Sequence, residues 1–168
     1  MIREVQEHDF LGIDQLIISA FSSSQFEYHD EAELVKSIRK EPSYSSYFEV
    51  IAEKEGKIIG HGLLSECYIG KTVCQALAPL SVSPSHQKKG IGQEIIRALE
   101  DRSEKHDFPG IIILGDPDYY GRFGYQKAVD YQIKAPFEVP ESHFLVKELK
   151  ENGLANTKGT VRYLEAFN

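Results

Sequence analysis

LAPLSVSPSHQKKGIGQEIIRALEDR, residues 77–102, passes from a strand-like run into a run of helix formers through two lysines and two glycines. Pro79 cannot donate to a ladder, so a bulge or a loss of pairing is expected there. From Gly90 to Lys105 the spacing predicts a helix with Ile91, Ile95, Ile96 and Leu99 on one side. The start of such a helix leaves amide groups unpaired and carries partial positive charge. Glycines at that point let a bulky anion approach the backbone, and Lys88 and Lys89 add charge beside it. The arrangement suits a pyrophosphate; a capped surface helix with solvated lysines is the plainer alternative.

Three anion-binding patterns compete for this turn. A dinucleotide fingerprint needs glycine or alanine where Ile95 stands. A P-loop ending in Gly70-Lys71-Thr72 needs glycine where Ser65 stands, and this GKT falls in an expected hairpin turn. The third pattern, Gln-x-x-Gly-x-Gly after a bulged strand, is filled by Gln87, Gly90 and Gly92.

Working outward, Ile2 to Val5 reads as a short strand. Phe10, Ile13, Leu16, Ile17, Ala20 and Phe21 form one apolar helical stripe, with Asp9 as the expected N-cap. Asp30 opens a second helix through Leu34, Val35 and Ile38 that ends before Pro42. Tyr47–Glu53 and Lys57–Glu66 flank the EKEG turn as a hairpin, and Val73–Val82 is a third strand. Ile111–Leu114 is continuously apolar, as in a strand covered on both faces. Gln126–Ala135 is expected to be one further strand. There is no repeat and no linker, so residues 1–168 are expected to form one α+β domain.

The 168 residues suffice for a core without staples. A net charge of -7 argues against binding nucleic acid by bulk attraction to phosphate. No apolar stretch reaches membrane-spanning length, and MIREVQEHDF is not a signal peptide, so a cytoplasmic location is expected. Cys67 and Cys74 straddle Gly70-Lys71 and so face each other across neighbouring strands. They are expected to be half-buried reduced thiols on an exposed hairpin, with no further ligands nearby for a metal.

Taken together, GHGLLS (60–65), PLSVSPSHQKKGIG (79–92), LGDPDYYGRFGY (114–125) and GTVRYLEAF (159–167) resemble the GNAT family of acyl-CoA N-acyltransferases. The resemblance implies a mixed α/β fold: a twisted, mostly antiparallel sheet flanked by helices, with strands splayed at an acetyl-CoA cleft. It implies that Leu80, Ser81 and Val82 offer backbone groups to the pantetheine arm, an amide at Val82 or its neighbour polarising the thioester carbonyl. The turn Gln87, Lys88, Lys89, Gly90, Ile91, Gly92 and Gln93 would hold the pyrophosphate of acetyl-CoA. Tyr120, Gly124 and Tyr125 fill the family's tyrosine motif, which makes Tyr120 the general acid for the departing thiolate. Asp116, Tyr119 and Phe123 are secondary cofactor contacts. The family's usual proline pair near the end is replaced here by Arg162-Tyr163-Leu164-Glu165, which bears on acceptor preference.

The acceptor implied is a small-molecule or peptide primary amine, which attacks the thioester directly without a covalent enzyme intermediate. A base must take the amine's proton; Glu66 is the first candidate, His61 the second, and Glu27, Tyr28 and His29 lie in the loop expected to shape the acceptor site. A coenzyme A-binding module without turnover, and a donor other than acetyl-CoA, stay open. A homodimer is compatible with the resemblance.

Overall fold

The strand registers explain most of the apolar pattern. The computed structural model describes residues 1–22 and 30–168. In chain order the elements are β1 (Ile2–Glu4), α1 (Phe10–Ser22), α2 (Glu31–Arg39), β2 (Glu49–Lys54), β3 (Lys57–Ile69), β4 (Thr72–Val82) and α3 (Ile91–Lys105). There follow β5 (Gly110–Leu114), α4 (Pro117–Gly121), β6 (Gln126–Lys127), β7 (Ile133–Lys134), β8 (Phe144–Glu148), β9 (Gly159–Thr160) and β10 (Arg162–Tyr163). The main sheet runs β1-β2-β3-β4-β5-β8-β6, with β10 on the free part of the β3 edge. Its pairs are antiparallel except β4 with β5, which α3 connects as a crossover.

Alternation sends successive side chains to opposite faces. Val50 and Ala52 of β2, with Ile111 and Ile113 of β5, meet Ile95, Ile96 and Leu99 of α3. Ile51 and Leu63 meet Ile13 and Ile17 of α1 and Val35 and Ile38 of α2 on the other face. Further along that face Cys67, Cys74, Ile112 and Val146 are covered by Ile133, Leu154 and Val161. Of the continuous run expected to be covered on both faces, Ile111–Ile113 are buried, whereas Leu114, at the strand's end, is exposed. Gly60 and Gly62 let α3 lie close: a Cβ at residue 62 would stand 2.6 Å from Ile95 Cγ2 and 3.0 Å from Leu99 Cδ1.

Both hairpins form where expected, with Glu55 and Gly56 at positive φ in one turn and Gly70 in the other. Three expectations are corrected. Gln126–Ala135 is not one strand: Gln132, at φ 61, reverses the chain after a 3₁₀ turn at Ala128–Tyr131, and β7 instead pairs with β9 in a separate small sheet. Cys67 and Cys74 do face each other, but both are fully buried, because the C-terminal segment folds over that hairpin. Asp9 does not cap α1; its carboxylate accepts the Gln6 amide at 2.8 Å and two Arg3 N–H groups at 2.9 Å.

One buried polar cluster ties α2 to the sheet. Glu49, fully buried, accepts Arg39 Nε at 3.1 Å and Tyr44 OH at 2.6 Å on Oε1, and Arg39 Nη2 at 2.6 Å and His61 Nε2 at 2.8 Å on Oε2. Burial alone would raise the Glu49 carboxyl; the hydrogen bonds from His61 and Arg39, the charge of His61 and the Tyr44 hydroxyl outweigh it and hold the group at about 2.

Two measurements test this packing. Gly62→Ala should cost about 1–3 kcal/mol by overpacking against Ile95, read by urea unfolding, whereas Gly121→Ala, where a Cβ meets nothing within 4 Å, should cost nothing comparable. Because the folded value of Glu49 lies below its ordinary 4.5, its contribution is complete above that pH and is lost as pH falls through about 2. A Glu49→Gln variant should therefore be less stable at neutral pH, by about 3–5 kcal/mol for a broken buried pair, and should lose less than the native chain on acidification.

Candidate active site

The parallel pairing of β4 with β5 is short. Gln75 and Ala76 pair with Ile111 and Ile112, and beyond them the two strands part. On the other side β4 stays with β3 to its end, through a bulge that sets Ala78 and Pro79 against Leu63. Proline suits the bulge because it has no amide to place.

The register fixes which backbone groups face the opening. The Ser83 amide donates to the Ile59 carbonyl at 2.8 Å, so these residues form a hydrogen-bonded pair. By alternation His61–Ser81 is another, whereas Gly60–Val82 and Gly62–Leu80 point their amides and carbonyls away from each other. Leu80 and Val82 thus turn their backbone toward the space that β5 has left. The Val82 carbonyl accepts Gln87 Nε2 there at 3.2 Å, which folds the turn back onto the strand end. Of the three β4 residues expected to meet the pantetheine arm, Leu80 and Val82 present backbone to the opening, and the Ser81 backbone faces His61.

Lys88 at φ 63 and Gly90 at φ 86 then swing the chain into α3. Gly90 is the N-cap residue and no side chain caps the helix. The amides of Ile91, Gly92 and Gln93 therefore have no partner within α3. Gln87, Lys88, Lys89 and Gly90 are exposed around this start, and Gly92 is buried. A Cβ on Gly92 would collide with the Tyr119 hydroxyl and come within 3.8 Å of Val82 Cγ2. That glycine keeps a bare backbone cradle and lets α4 close against it.

α4 begins with Asp116 as N-cap, its carboxylate accepting the Asp118 amide at 2.9 Å, and Pro117 in the first turn. Asp116 is thus engaged in capping. The Tyr119 and Tyr120 rings meet edge to face at 4.9 Å, and Phe123 meets Tyr119 in the same way at 5.1 Å. The ring of Tyr120 lies over Gly115 so closely that a Cβ there would overlap it. Burial, then the neighbouring Tyr119 and Asp116, push the Tyr120 phenol up, so it holds its proton. Arg122, which the sequence reading missed, stacks over Tyr119 at 5.0 Å and Phe123 at 5.4 Å. The Asp-Pro pair at 116–117 was the available signal for α4.

The remaining candidates are placed elsewhere. Glu66 lies along β3 where the sheet is still closed, opposite Gln75, and accepts the Tyr68 hydroxyl at 3.1 Å. His61 is fully buried on the α1 and α2 face, opposite Ser81. Glu27, Tyr28 and His29 lie outside the described residues. Burial raises both thiols, Cys74 to about 11, so neither is a ready nucleophile.

Comparison with known proteins agrees with this geometry. The chain is 29% identical over 162 residues to the N-acetyltransferase YhbS of Escherichia coli, covering 95% of this chain and 93% of that one. It is 31% identical over 123 residues to the N-acetyltransferase YjhQ of Escherichia coli, covering 70% and 68%. The crystal structure of Escherichia coli YhbS in complex with CoA superposes with a TM-score of 0.90 at 26% identity, covering 100% of this chain and 91% of that one. A GNAT family acetyltransferase of Brucella melitensis in complex with acetyl-CoA gives 0.81 at 26% identity, covering 100% and 97%. Residues 12–125 match the Acetyltransferase (GNAT) family, and with the splayed strands, the uncapped glycine turn and the tyrosine helix around one opening, the chain belongs to that family.

Proposed function

We propose that this protein is an acetyl-CoA-dependent N-acetyltransferase that moves an acetyl group directly to a primary amine in the cytoplasm. The observation that carries this reading is the convergence on one opening of the outward-facing Leu80 and Val82 backbone, the unpaired amides of α3 and the protonated Tyr120. Two relatives covering almost the whole chain were solved with CoA or acetyl-CoA, and the bare backbone at Gly92 fits a diphosphate held on main-chain donors.

The roles follow from the chemistry. Ile91, Gly92 and Gln93 amides, with Lys88 and Lys89 beside them, hold the pyrophosphate. The Leu80 and Val82 backbone groups align the pantetheine as an added strand would be aligned, and the Leu80 amide donates to the thioester oxygen where negative charge develops. Tyr120 gives its proton to the departing sulfur. Burial raises the phenol, and a thiolate expelled into the same dry surroundings is raised too, so the proton passes to a base only somewhat weaker than the phenolate it leaves. The high thiol values of Cys67 and Cys74 favour direct attack by the amine over a thiol-bound acyl group.

Two experiments test the reading. Acetyl-CoA at about a hundred times its dissociation constant should raise the unfolding midpoint by roughly 5–11 °C; Gly92→Glu should abolish the rise, and the absence of any shift in the native protein would refute the cofactor assignment. Tyr120→Phe should keep that shift and lower kcat by about 10²-fold or more with an amine found by screening. Undiminished turnover would remove Tyr120 from the role of acid.

A further inference from the structure

The face of the sheet opposite α3 carries a chain of aromatic rings that the transfer mechanism above does not use. Leu114, the last residue of β5, is directly opposed to Phe144 of β8, and Tyr163 of β10 is directly opposed to Cys67 of β3. Directly opposed residues share a face. Phe144, Cys67 and Tyr163 belong to the cluster under the C-terminal segment, across the sheet from α3. Phe137 meets Phe144 edge to face at 6.2 Å and stacks on Tyr163 at 6.1 Å, with 19° between the ring planes. Tyr163 in turn meets Phe167 at 4.8 Å. In the sheet β3, β4 and β5 lie between β10 and β8. Phe137 therefore bridges strands on either side of the place where β4 and β5 part.

Three properties of this rail of rings point to a ligand. It is open: Phe137 is 45% exposed and Leu114 49%. It has spare binding capacity, because the half-buried Tyr163 makes no hydrogen bond through its hydroxyl among the described residues. No described cation covers its rings either; Arg162, beside Tyr163 in the chain, stacks over Tyr68 at 5.7 Å and donates to the Gly70 carbonyl at 3.2 Å. Lastly, it adjoins the opening from the unobstructed side. Ile91 at the start of α3 and Tyr120 pack on the other face, where the reading above puts the diphosphate and the proton donor for the sulfur. The amine then reaches the acyl carbon from the face that carries Leu114 and Phe137. Glu138 and Glu165, next to Phe137 and Tyr163 in the chain, are exposed, and in a protein of net charge -7 they draw an ammonium toward this rim.

We propose that the acceptor is an arylalkylamine, a primary amine carried on an alkyl chain by an aromatic ring, with that ring lying against Leu114, Phe137 and Tyr163. This rests on the transferase reading and names its substrate class. Aromatic rings favour an offset-stacked or edge-to-face neighbour. Both arrangements already occur along the rail, and a substrate ring continues it. The Tyr163 hydroxyl supplies a polar contact for a substituent on that ring. Polyamines and aminoglycosides instead carry several ammonium groups that need fixed acceptors. The rail offers them rings, one phenol and one leucine, and its two glutamates stand in solvent, where an ion pair is weak. The segment Arg162-Tyr163-Leu164-Glu165, which replaces the family's proline pair, thereby gains a role: its tyrosine forms part of the surface that the substrate meets.

The test compares 2-phenylethylamine, n-propylamine, spermidine and kanamycin as acceptors, with acetyl-CoA saturating and CoA release as the readout. The native protein should acetylate 2-phenylethylamine with a kcat/KM at least about 10-fold above each of the others. Phe137→Ala removes an exposed ring, so the acetyl-CoA thermal shift should persist. In that variant KM for 2-phenylethylamine should rise about 10-fold with kcat changed far less, and Phe137→Tyr should restore it. Equal or better turnover of spermidine or kanamycin, or a native KM in Phe137→Ala, would overturn the proposal while leaving the transferase reading intact. A native protein that binds acetyl-CoA yet acetylates no amine would instead overturn the transferase reading, and this inference with it. Saturation-transfer NMR of the CoA-loaded protein is independent of turnover: the phenyl protons of 2-phenylethylamine should receive saturation from the native protein and lose it in Phe137→Ala. No transfer in the native protein would overturn the arylalkylamine assignment.

Discussion

The structure turns on the loss of one line of backbone hydrogen bonds. β4 pairs with β3 to its end but with β5 only at Gln75 and Ala76, so Leu80 and Val82 are left facing open space. A strand's amides and carbonyls must find partners or water, and an unpaired strand edge inside a domain is a template for another extended chain. The bulge at Ala78 and Pro79 shifts the register by one residue at this point and aims those groups. The opening is consequently built into the pairing of the sheet and does not depend on loop conformation.

Everything that closes around the opening is positioned by how near α3 can come. Gly60 and Gly62 leave room on β3 for Ile95 and Leu99, so α3 lies against the strand that ends in the turn. The start of α3 then falls beside the end of β4, with Gly92 against Val82 and Tyr119. One helix both buries the core face and delivers its unpaired amides to the site. Lys88 at positive φ shows how tight the connection is, since a non-glycine residue there carries a conformational cost that a surface turn would avoid.

The parts legible in the sequence are those set by local rules. Alternation and helical spacing place β4 and α3, Pro79 marks the bulge, and the Glu55-Gly56 and Gly70-Lys71 pairs mark the hairpins. The parts that were not legible depend on distant chain. Gln126–Ala135 has the alternation of a strand, yet Gln132 takes a left-handed conformation and β7 finds its partner at Gly159–Thr160. Cys67 and Cys74 owe their burial to Leu154 and Val161. In the site, the glycine turn and Tyr120 carry a pattern because their roles are local. The cluster of Arg39, Tyr44, Glu49 and His61 has none, because helix, loop and two strands each give one residue.

That cluster is also the part least explained by stability. Removing ionised groups from water costs several kcal/mol per ion, and an apolar cluster of the same volume is often as stable or more so. The neighbouring positions Ile51 and Leu63 show that this face accepts such residues. A purely structural ion pair would also be expected to end with every member satisfied, since a half-satisfied network is the costly case. Here Glu49 is saturated with four donors, while His61 retains one nitrogen with no partner among the described residues. The expense falls on one carboxylate that joins α2, the segment after it, β2 and β3. Directional bonds from four donor atoms to one carboxylate fix how those elements meet, which apolar packing of the same volume specifies less sharply.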